Sequence, residues 1–289
     1  MSRMLVTGGT GYLGRVVVRQ SAAIGHTVAA THFSQMPPDL PGVIWLPLDV
    51  RDPQVIEEAI GQLRPEIVIH TAFQQSGPDL MPTTAEGAGY VARAAAAVGA
   101  RLIHMSSDVI FDGELTRPYR EDDPPAPISP YGLAKARAEA LVAKAHPQAV
   151  IVRTSLIYGF TPIDRISRFA LDVAAGRVSA HLFTDEYRCP IYVEDLAAAL
   201  LELAGMSYHG ILNIAGADRV SRYELGRLIA QAWGVDPADI RAGLSATTLP
   251  PRPRNCTLDI TKAQALLRTR LRGIYAVLRD LGRIEEMEG

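Results

Sequence analysis

The chain is poor in the residues that mark a disulfide scaffold, a metalloprotein, a membrane span or a nucleic-acid binder. Two of its 289 residues are cysteine, Cys189 and Cys256. They are too few for a disulfide framework and lack metal-ligand spacing, and Cys189 reads as a packed thiol. The seven histidines form no HxxxH pair, so the common helical zinc motif is absent and no metal is expected. No apolar run approaches the roughly 18 residues of a membrane span. With a net charge of -2, no global field draws in nucleic acid or an acidic membrane, and Arg268, Arg270 and Arg272 read as a solvated helix end. No signal peptide precedes the strand-like residues from Met4 on, so the expected compartment is the cytoplasm.

What is present is ordinary in amount and ordered in pattern. Hydrophobic residues make up 48%, and the length suits one large domain or two smaller lobes. Arg3–Thr7 is a short apolar run ending in TGGTGYLG, Thr7 to Gly14. Helical spacing follows, with Leu13, Val16, Val17 and Ile24 on one side. Strand, glycine turn and helix are the context of a dinucleotide-binding turn. Gly8 suits the tight turn, Gly11 the approach of a pyrophosphate and Gly14 the packing of helix on strand. The helix N-terminus then faces the phosphates.

Further strands are expected at Thr27–Thr31, Val43–Leu46, Glu66–Thr71, Arg101–Met105 and Ala149–Arg153. Helices are expected at Pro53–Leu63, capped by Asp52, at Ala85–Val98 and at Tyr131–Ala145. Apolar strands alternating with helices imply a doubly wound, Rossmann-type α/β fold around a parallel sheet. Residues 1–156 read as this dinucleotide-binding domain. Residues 157–289 read as a smaller substrate lobe, interleaved because about 190–215 returns to the first domain through a strand at Gly210–Ile214. Helices are expected there at Ile166–Ala175, Glu194–Leu203 and Ser221–Trp233, the last with a Ser221/Glu224 capping box, and two short helices close the chain.

Of the ten tyrosines, only Tyr131 has a lysine four residues on. Positions i and i+4 share a helix face, and a cation beside a phenol lowers its pKa. Ser107, beyond another strand, supplies a hydroxyl. Ser, Tyr and Lys so placed make a proton-transfer site for a reaction at a carbonyl.

Six short stretches, in order, resemble those of an extended short-chain dehydrogenase/reductase of the dTDP-4-dehydrorhamnose reductase group. They are TGGTGYLG, HMSSDVIFDG, SPYGLAKARAE, VRTSLIYG, TDEYRCPIYVEDLA and RPRNCTLD, and the resemblance spans nearly the whole chain. It implies that Tyr131 gives a proton to a carbonyl oxygen, that Ser107 hydrogen-bonds the same oxygen, and that Lys135 lowers the phenol pKa and holds the nicotinamide ribose. It places Gly8, Thr10, Gly11, Tyr12, Leu13, Gly14, His32, Ser34, Asp49, Val50, Ala72, Tyr131 and Lys135 at the cofactor, with Asp49 and Val50 beside the adenine. Asp108, Tyr187, Arg188, Arg252 and Arg254 are the candidates for a nucleotide-sugar substrate. The loop after the second strand, Thr31-His32-Phe33-Ser34, holds no carboxylate before Asp39 and no arginine. That favours NADP(H) over NAD(H).

The implied activity is reduction of a keto group on a nucleotide-activated deoxysugar. A sugar-nucleotide epimerase and a non-catalytic NADP-binding regulatory subunit are the alternatives. Two places depart from the resemblance. Thr84 stands where an asparagine is usual, so its hydroxyl or a water is expected to complete a proton relay, and Gln74–Pro82 lacks the usual acidic pattern. Alanine-rich faces at Ala92, Ala95 and Ala96, and at Ala134 and Ala138, suggest a homodimer through the helices that carry them.

Overall fold

Apolar runs of four to six residues, too short for helices, become the strands of one parallel sheet. The computed structural model describes residues 1–248 and 251–284. The first part runs β1 (Arg3–Thr7), α1 (Tyr12–Ala23), β2 (Thr27–His32), β3 (Val43–Pro47), α2 (Pro53–Leu63), β4 (Ile67–His70), α3 (Gly87–Ala97), β5 (Arg101–Met105), α4 (Pro130–Ala145) and β6 (Val150–Arg153). The second part runs β7 (Ile157–Tyr158), α5 (Arg165–Ala174), β8 (His181–Phe183), β9 (Tyr187–Arg188), β10 (Ile191–Tyr192), α6 (Val193–Ala204), β11 (Gly210–Asn213), β12 (Val220–Ser221), α7 (Arg222–Ala232), β13 (Arg241–Gly243), α8 (Thr261–Leu266) and α9 (Ile274–Asp280). The sheet order is β11-β6-β5-β4-β1-β2-β3, with every neighbouring pair parallel.

Strand residues alternate between two cores. Met4 and Val6 pack with Val16 and Val17 of α1 and Leu196 and Leu200 of α6. Leu5 packs on the opposite face with Ile56 of α2, Val91 of α3 and Val142 of α4. The order reverses beside β1, where chains of this architecture form a crevice at the strand ends. Gly210–Asn213 pairs with β6 at the edge of the sheet, so a late segment closes what an early one began.

Local signals for helix ends are obeyed. The Asp52 carboxylate accepts from the backbone N–H of Gln54 and Val55 at the start of α2. Ser221 and Glu224 form the capping box of α7. Ile24, expected on the buried side of α1, is 60% exposed, because the helix ends at Ala23 and the cap leaves its register. The helix expected from Ala85 starts earlier, as a π-turn over Pro82–Glu86 that leads into α3. The small strands β7, β8, β9, β10, β12 and β13 were not expected, since two or three residues carry no periodicity.

Of the alanines proposed for a dimer face, four are used inside the chain and Ala96 is exposed. Ala92, Ala95, Ala134 and Ala138 are all fully buried, where α3 packs on α4. They let these two helices approach each other closely, so they no longer argue for a homodimer. No helix among the described residues is long and apolar enough to cross a membrane.

One polar pair lies in the sheet itself. His70 and His104 are register partners on β4 and β5, each 1% exposed, with rings stacked 5.3 Å apart. His70 Nδ1 shares a 2.6 Å hydrogen bond with the Thr7 hydroxyl, while neither nitrogen of His104 has a hydrogen-bond partner among the described residues. Burial, helped by the Lys135 ammonium, lowers the His70 pKa to about 3. Burial, then His70 and Lys135, lowers His104 well below its usual value. Unfolded histidine titrates near 6.5, so below that pH the unfolded chain binds protons that the folded chain refuses. Stability from each ring is present above about pH 6.5 and falls by about 1.4 kcal/mol per pH unit on acidification towards the folded value. Melting temperature measured between about pH 6.5 and 5 should therefore drop with pH, and less steeply in His104→Leu. Equal slopes for parent and variant would refute the assignment.

Candidate active site

The glycine turn after β1 is shaped by contact. Gly8 has φ +70°, and a Cβ there would lie 2.8 Å from the Ala72 backbone beyond β4. A Cβ on Gly14 would run into the Gly8 carbonyl. The first turn of α1 carries no acidic residue, and Gly11 gives it no side-chain cap. Free N–H groups there suit an anion.

Two cavities open on this turn. One of about 230 Å³ is lined by Gly8, Thr10, Gly11, His32, Ser34, Asp49, Val50 and Ala72, all expected at a cofactor. The other, of about 300 Å³, is lined by Gly11, Tyr12, Leu13 and Gly14 together with Ser107, Asp108, Tyr131 and Lys135. Gly11, Thr71 and Phe73 line both. The two cavities therefore meet over the turn, and the residues present fit an extended dinucleotide lying across it.

Helix α4 delivers the tyrosine and the lysine. Ser129 caps it by accepting from Gly132 N at 3.1 Å, which puts Tyr131 in the first turn and Lys135 one turn on. Lys135 is 3% exposed. Its ammonium donates to the Met105 carbonyl at 2.8 Å and lies 5.2 Å from the Phe73 ring centroid. Burial lowers its pKa to about 8, against the opposing Glu139 carboxylate. Ser107 ends β5's extension and opens the 3-10 turn Asp108–Ile110, its Oγ accepting from Val109 N at 3.4 Å.

The Tyr131 phenol departs from expectation. Its pKa is raised, first by burial and then by the Asp108 carboxylate, with Arg165 opposing. Lys135 was expected to lower it, but its ammonium lies 5.9 Å from the ring centroid and bonds to a backbone carbonyl. The i, i+4 spacing set a shared face without setting a contact between ammonium and hydroxyl. A phenol held protonated is suited to give a proton.

Of the five substrate candidates only Asp108 lines the cavity that holds Tyr131 and Lys135. Its carboxylate is 2% exposed, accepts from Ser155 Oγ at 2.7 Å, and lies 3.6 Å from Arg188 Nε. Burial raises its pKa, with Arg188 and the two serines opposing. Arg188 is buried and donates to the carbonyls of Tyr187, Pro253 and Arg254. Arg252 pairs with Glu186 at 2.7 Å, Arg254 with Glu114 at 2.6 Å, and the Tyr187 ring lies under Arg219 at 3.4 Å. These contacts hold the 251–256 loop to β9, with the Arg252 and Arg254 side chains still about half exposed. The buried carboxylate of Glu186 is the reason, since it faces Arg188, Arg222 and Arg252 at once. Leu249 and Pro250 of the same loop fall outside the described residues.

Thr84 is likewise committed. Its hydroxyl accepts from Gln74 N at 2.9 Å and donates to Gln74 O at 2.7 Å, which leaves it no proton for a relay. Two arginines missed from the sequence line the cavities instead. Arg165 stands in the cavity that holds Tyr131 and Lys135 and donates to Gln75 Oε1 at 2.6 Å. The only local signal is its place after Asp164, which caps α5. Arg51 lines the other cavity with Asp49 and Asp79. The loop after β2 is thus free of charge only in sequence.

Residues 2–281 match the family described as the RmlD substrate binding domain. The dTDP-4-dehydrorhamnose reductase of Mycobacterium tuberculosis is 34% identical over 275 residues, covering 91% of this chain and 86% of that one. Methionine adenosyltransferase 2 subunit beta of Pongo abelii is 30% identical over 283 residues, covering 91% and 82%. A hypothetical dTDP-4-dehydrorhamnose reductase from Sulfolobus tokodaii superposes with a TM-score of 0.80 at 27% identity, over 93% of this chain and 96% of that one.

The seat of α4 is itself testable. Glu139 and Arg153, 7% and 1% exposed, pair at 2.9 Å, and the Ser106 hydroxyl donates to the same carboxylate at 2.5 Å. Glu139→Ala strands a buried guanidinium and should lower unfolding free energy by about 3–5 kcal/mol, whereas Glu139→Ala combined with Arg153→Met should cost less than that single change. Denaturant titration measures both, and a double variant weaker than the single one would contradict the pairing.

Proposed function

The chain belongs to the RmlD substrate binding domain family, and from that premise we propose that it is an NAD(P)-dependent oxidoreductase reducing a keto group on a nucleotide-activated deoxysugar. One observation carries the reading: Ser107, Tyr131 and Lys135 line a single cavity together with the Gly11–Gly14 turn. The dTDP-4-dehydrorhamnose reductase relative supports the substrate class. In this reading residues 1–156 carry the dinucleotide and residues 157–289 supply most of the substrate lobe.

The nicotinamide, when bound, supplies the hydride. The protein supplies the rest. The Gly8–Gly14 turn and the N-terminus of α1 hold the pyrophosphate. Tyr131, kept protonated by its buried setting, gives its proton to the carbonyl oxygen. Ser107 donates a hydrogen bond to that oxygen, where negative charge develops. Lys135, seated on the Met105 carbonyl, holds the nicotinamide ribose and keeps a positive charge near the phenol ring. Arg165, whose side-chain partner among the described residues is a neutral amide, is the arginine of this cavity suited to the substrate's diphosphate.

A second reading is a regulatory subunit that binds the dinucleotide without turnover. The relative named methionine adenosyltransferase 2 subunit beta supports it, as does the engagement of Thr84 with Gln74 in place of a relay.

Purified protein should oxidise NADPH when given dTDP-4-dehydrorhamnose. Tyr131→Phe should slow that turnover by roughly 10²–10⁴-fold with little change in NADPH affinity. Ser107→Ala should lower turnover alone, and Lys135→Met should damage both turnover and cofactor binding. Parent-rate turnover by Tyr131→Phe would end the proposed chemistry. NADPH binding without reduction, joined to an altered methionine adenosyltransferase rate, would put the subunit reading in its place. Arg165→Ala should raise KM for the nucleotide sugar and leave NADPH affinity unchanged, and an unchanged KM would remove Arg165 from the substrate.

A further inference from the structure

We propose that Arg51 is the residue that reads the 2′-phosphate of NADP(H), and that this phosphate displaces Asp79 from it. The inference rests on the oxidoreductase reading and goes on to name the group that selects its cofactor. Parallel pairing of β2 with β3 sets His32 against Pro47, so the residues after β3 come level with the loop after β2. Phe33 and Ser34 from that loop, and Asp49 and Arg51 from beyond β3, line one cavity with Gly8 and Gly11. A dinucleotide whose pyrophosphate lies on the glycine turn places its adenosine ribose in this cavity.

Arg51 is oriented from its own side. Its Nε lies 2.9 and 3.0 Å from the two Asp49 oxygens, and its Nη2 lies 2.6 Å from Oδ2. Its backbone N–H also donates to Asp49 Oδ1 at 2.9 Å. The guanidinium lies against the Phe33 ring, 5.3 Å from its centroid, and Phe33 is 65% exposed. Asp49 is thereby taken up by arginine and is a poor acceptor for ribose hydroxyls.

The third contact is of another kind. Asp79 reaches Nη1 at 2.8 Å by one oxygen, and its side chain is 53% exposed. It comes from the segment between β4 and the π-turn, not from the strand ends that shape the cavity. A guanidinium has five N–H donors, and these contacts leave one on each Nη. A phosphate carries more charge than a carboxylate and takes both terminal nitrogens in a fork. A one-point, half-exposed carboxylate is the group it would replace. The loop from Thr31 to Pro38 brings no carboxylate of its own against it.

Fluorescence titration of the whole chain with NADPH and with NADH tests this, with adenosine 2′,5′-bisphosphate against ADP as probes lacking nicotinamide. Arg51→Met should weaken NADPH and the 2′,5′-bisphosphate by roughly ten- to a hundred-fold while NADH and ADP stay within about twofold. Asp79→Asn, on an exposed side chain and safe for folding, should tighten NADPH and leave NADH unchanged. Equal losses for both dinucleotides in Arg51→Met would make Arg51 a structural tie and overturn the proposal while the oxidoreductase reading stood. Weaker NADPH binding in Asp79→Asn would likewise overturn it. A parent that bound neither dinucleotide would take the oxidoreductase reading down with it.

Discussion

The buried carboxylate of Glu139 is the constraint on which the arrangement of Ser107, Tyr131 and Lys135 depends. It projects from α4 into the sheet, where Arg153 at the end of β6 and Ser106 beyond β5 both bond to it. A buried charge tolerates few geometries, because each unpaired atom loses its hydration without return. The pair therefore sets the rotation and height of α4 against the ends of β5 and β6. Lys135, one turn earlier, then reaches the Met105 carbonyl. Tyr131, another turn back, meets the cavity wall beside Ser107.

A similar rule sorts the arginines. Glu186 draws Arg188, Arg222 and Arg252 to itself in the second lobe, and Glu114 takes Arg254. A motif rich in arginine thus becomes scaffold, joining β9 to the 251–256 loop. Arg51 and Arg165 line the two cavities. One segment touches both: Asp79 pairs with Arg51, and Gln75 accepts from Arg165. The same segment is held by Thr84 through Gln74. Residues of this one segment thus line both cavities, Gln74 and Asp79 the first and Gln75 the second.

What the sequence by itself determined is what depends on near neighbours. Four- and five-residue apolar runs specified β1, β4 and β5, since strand period and burial act within a few residues. Asp52 before Pro53, and Ser221 before Glu224, marked helix starts because capping spans only a single turn. Gly8, Gly11 and Gly14 marked the tight turn between β1 and α1, and the Tyr131–Lys135 spacing marked a shared helix face. The upward shift of the Tyr131 pKa was not legible, because burial outweighs a nearby ammonium whose distance the spacing leaves open. Nor was the exposure of Ile24, which hung on where one helix stopped.

Only the tertiary structure decided which charges met. Asp79 and Arg51 are 28 residues apart, Arg252 and Glu186 are 66, and Arg254 and Glu114 are 140. No local period reports such separations. The loop after β2 read as uncharged until strand pairing brought Asp49 and Arg51 level with it. The alanines of α3 and α4 read as a surface until the two helices closed on each other. Charge pairing falls off within a few ångströms, and those ångströms are set by the approach of whole elements, which is a property of the assembled sheet and its helices.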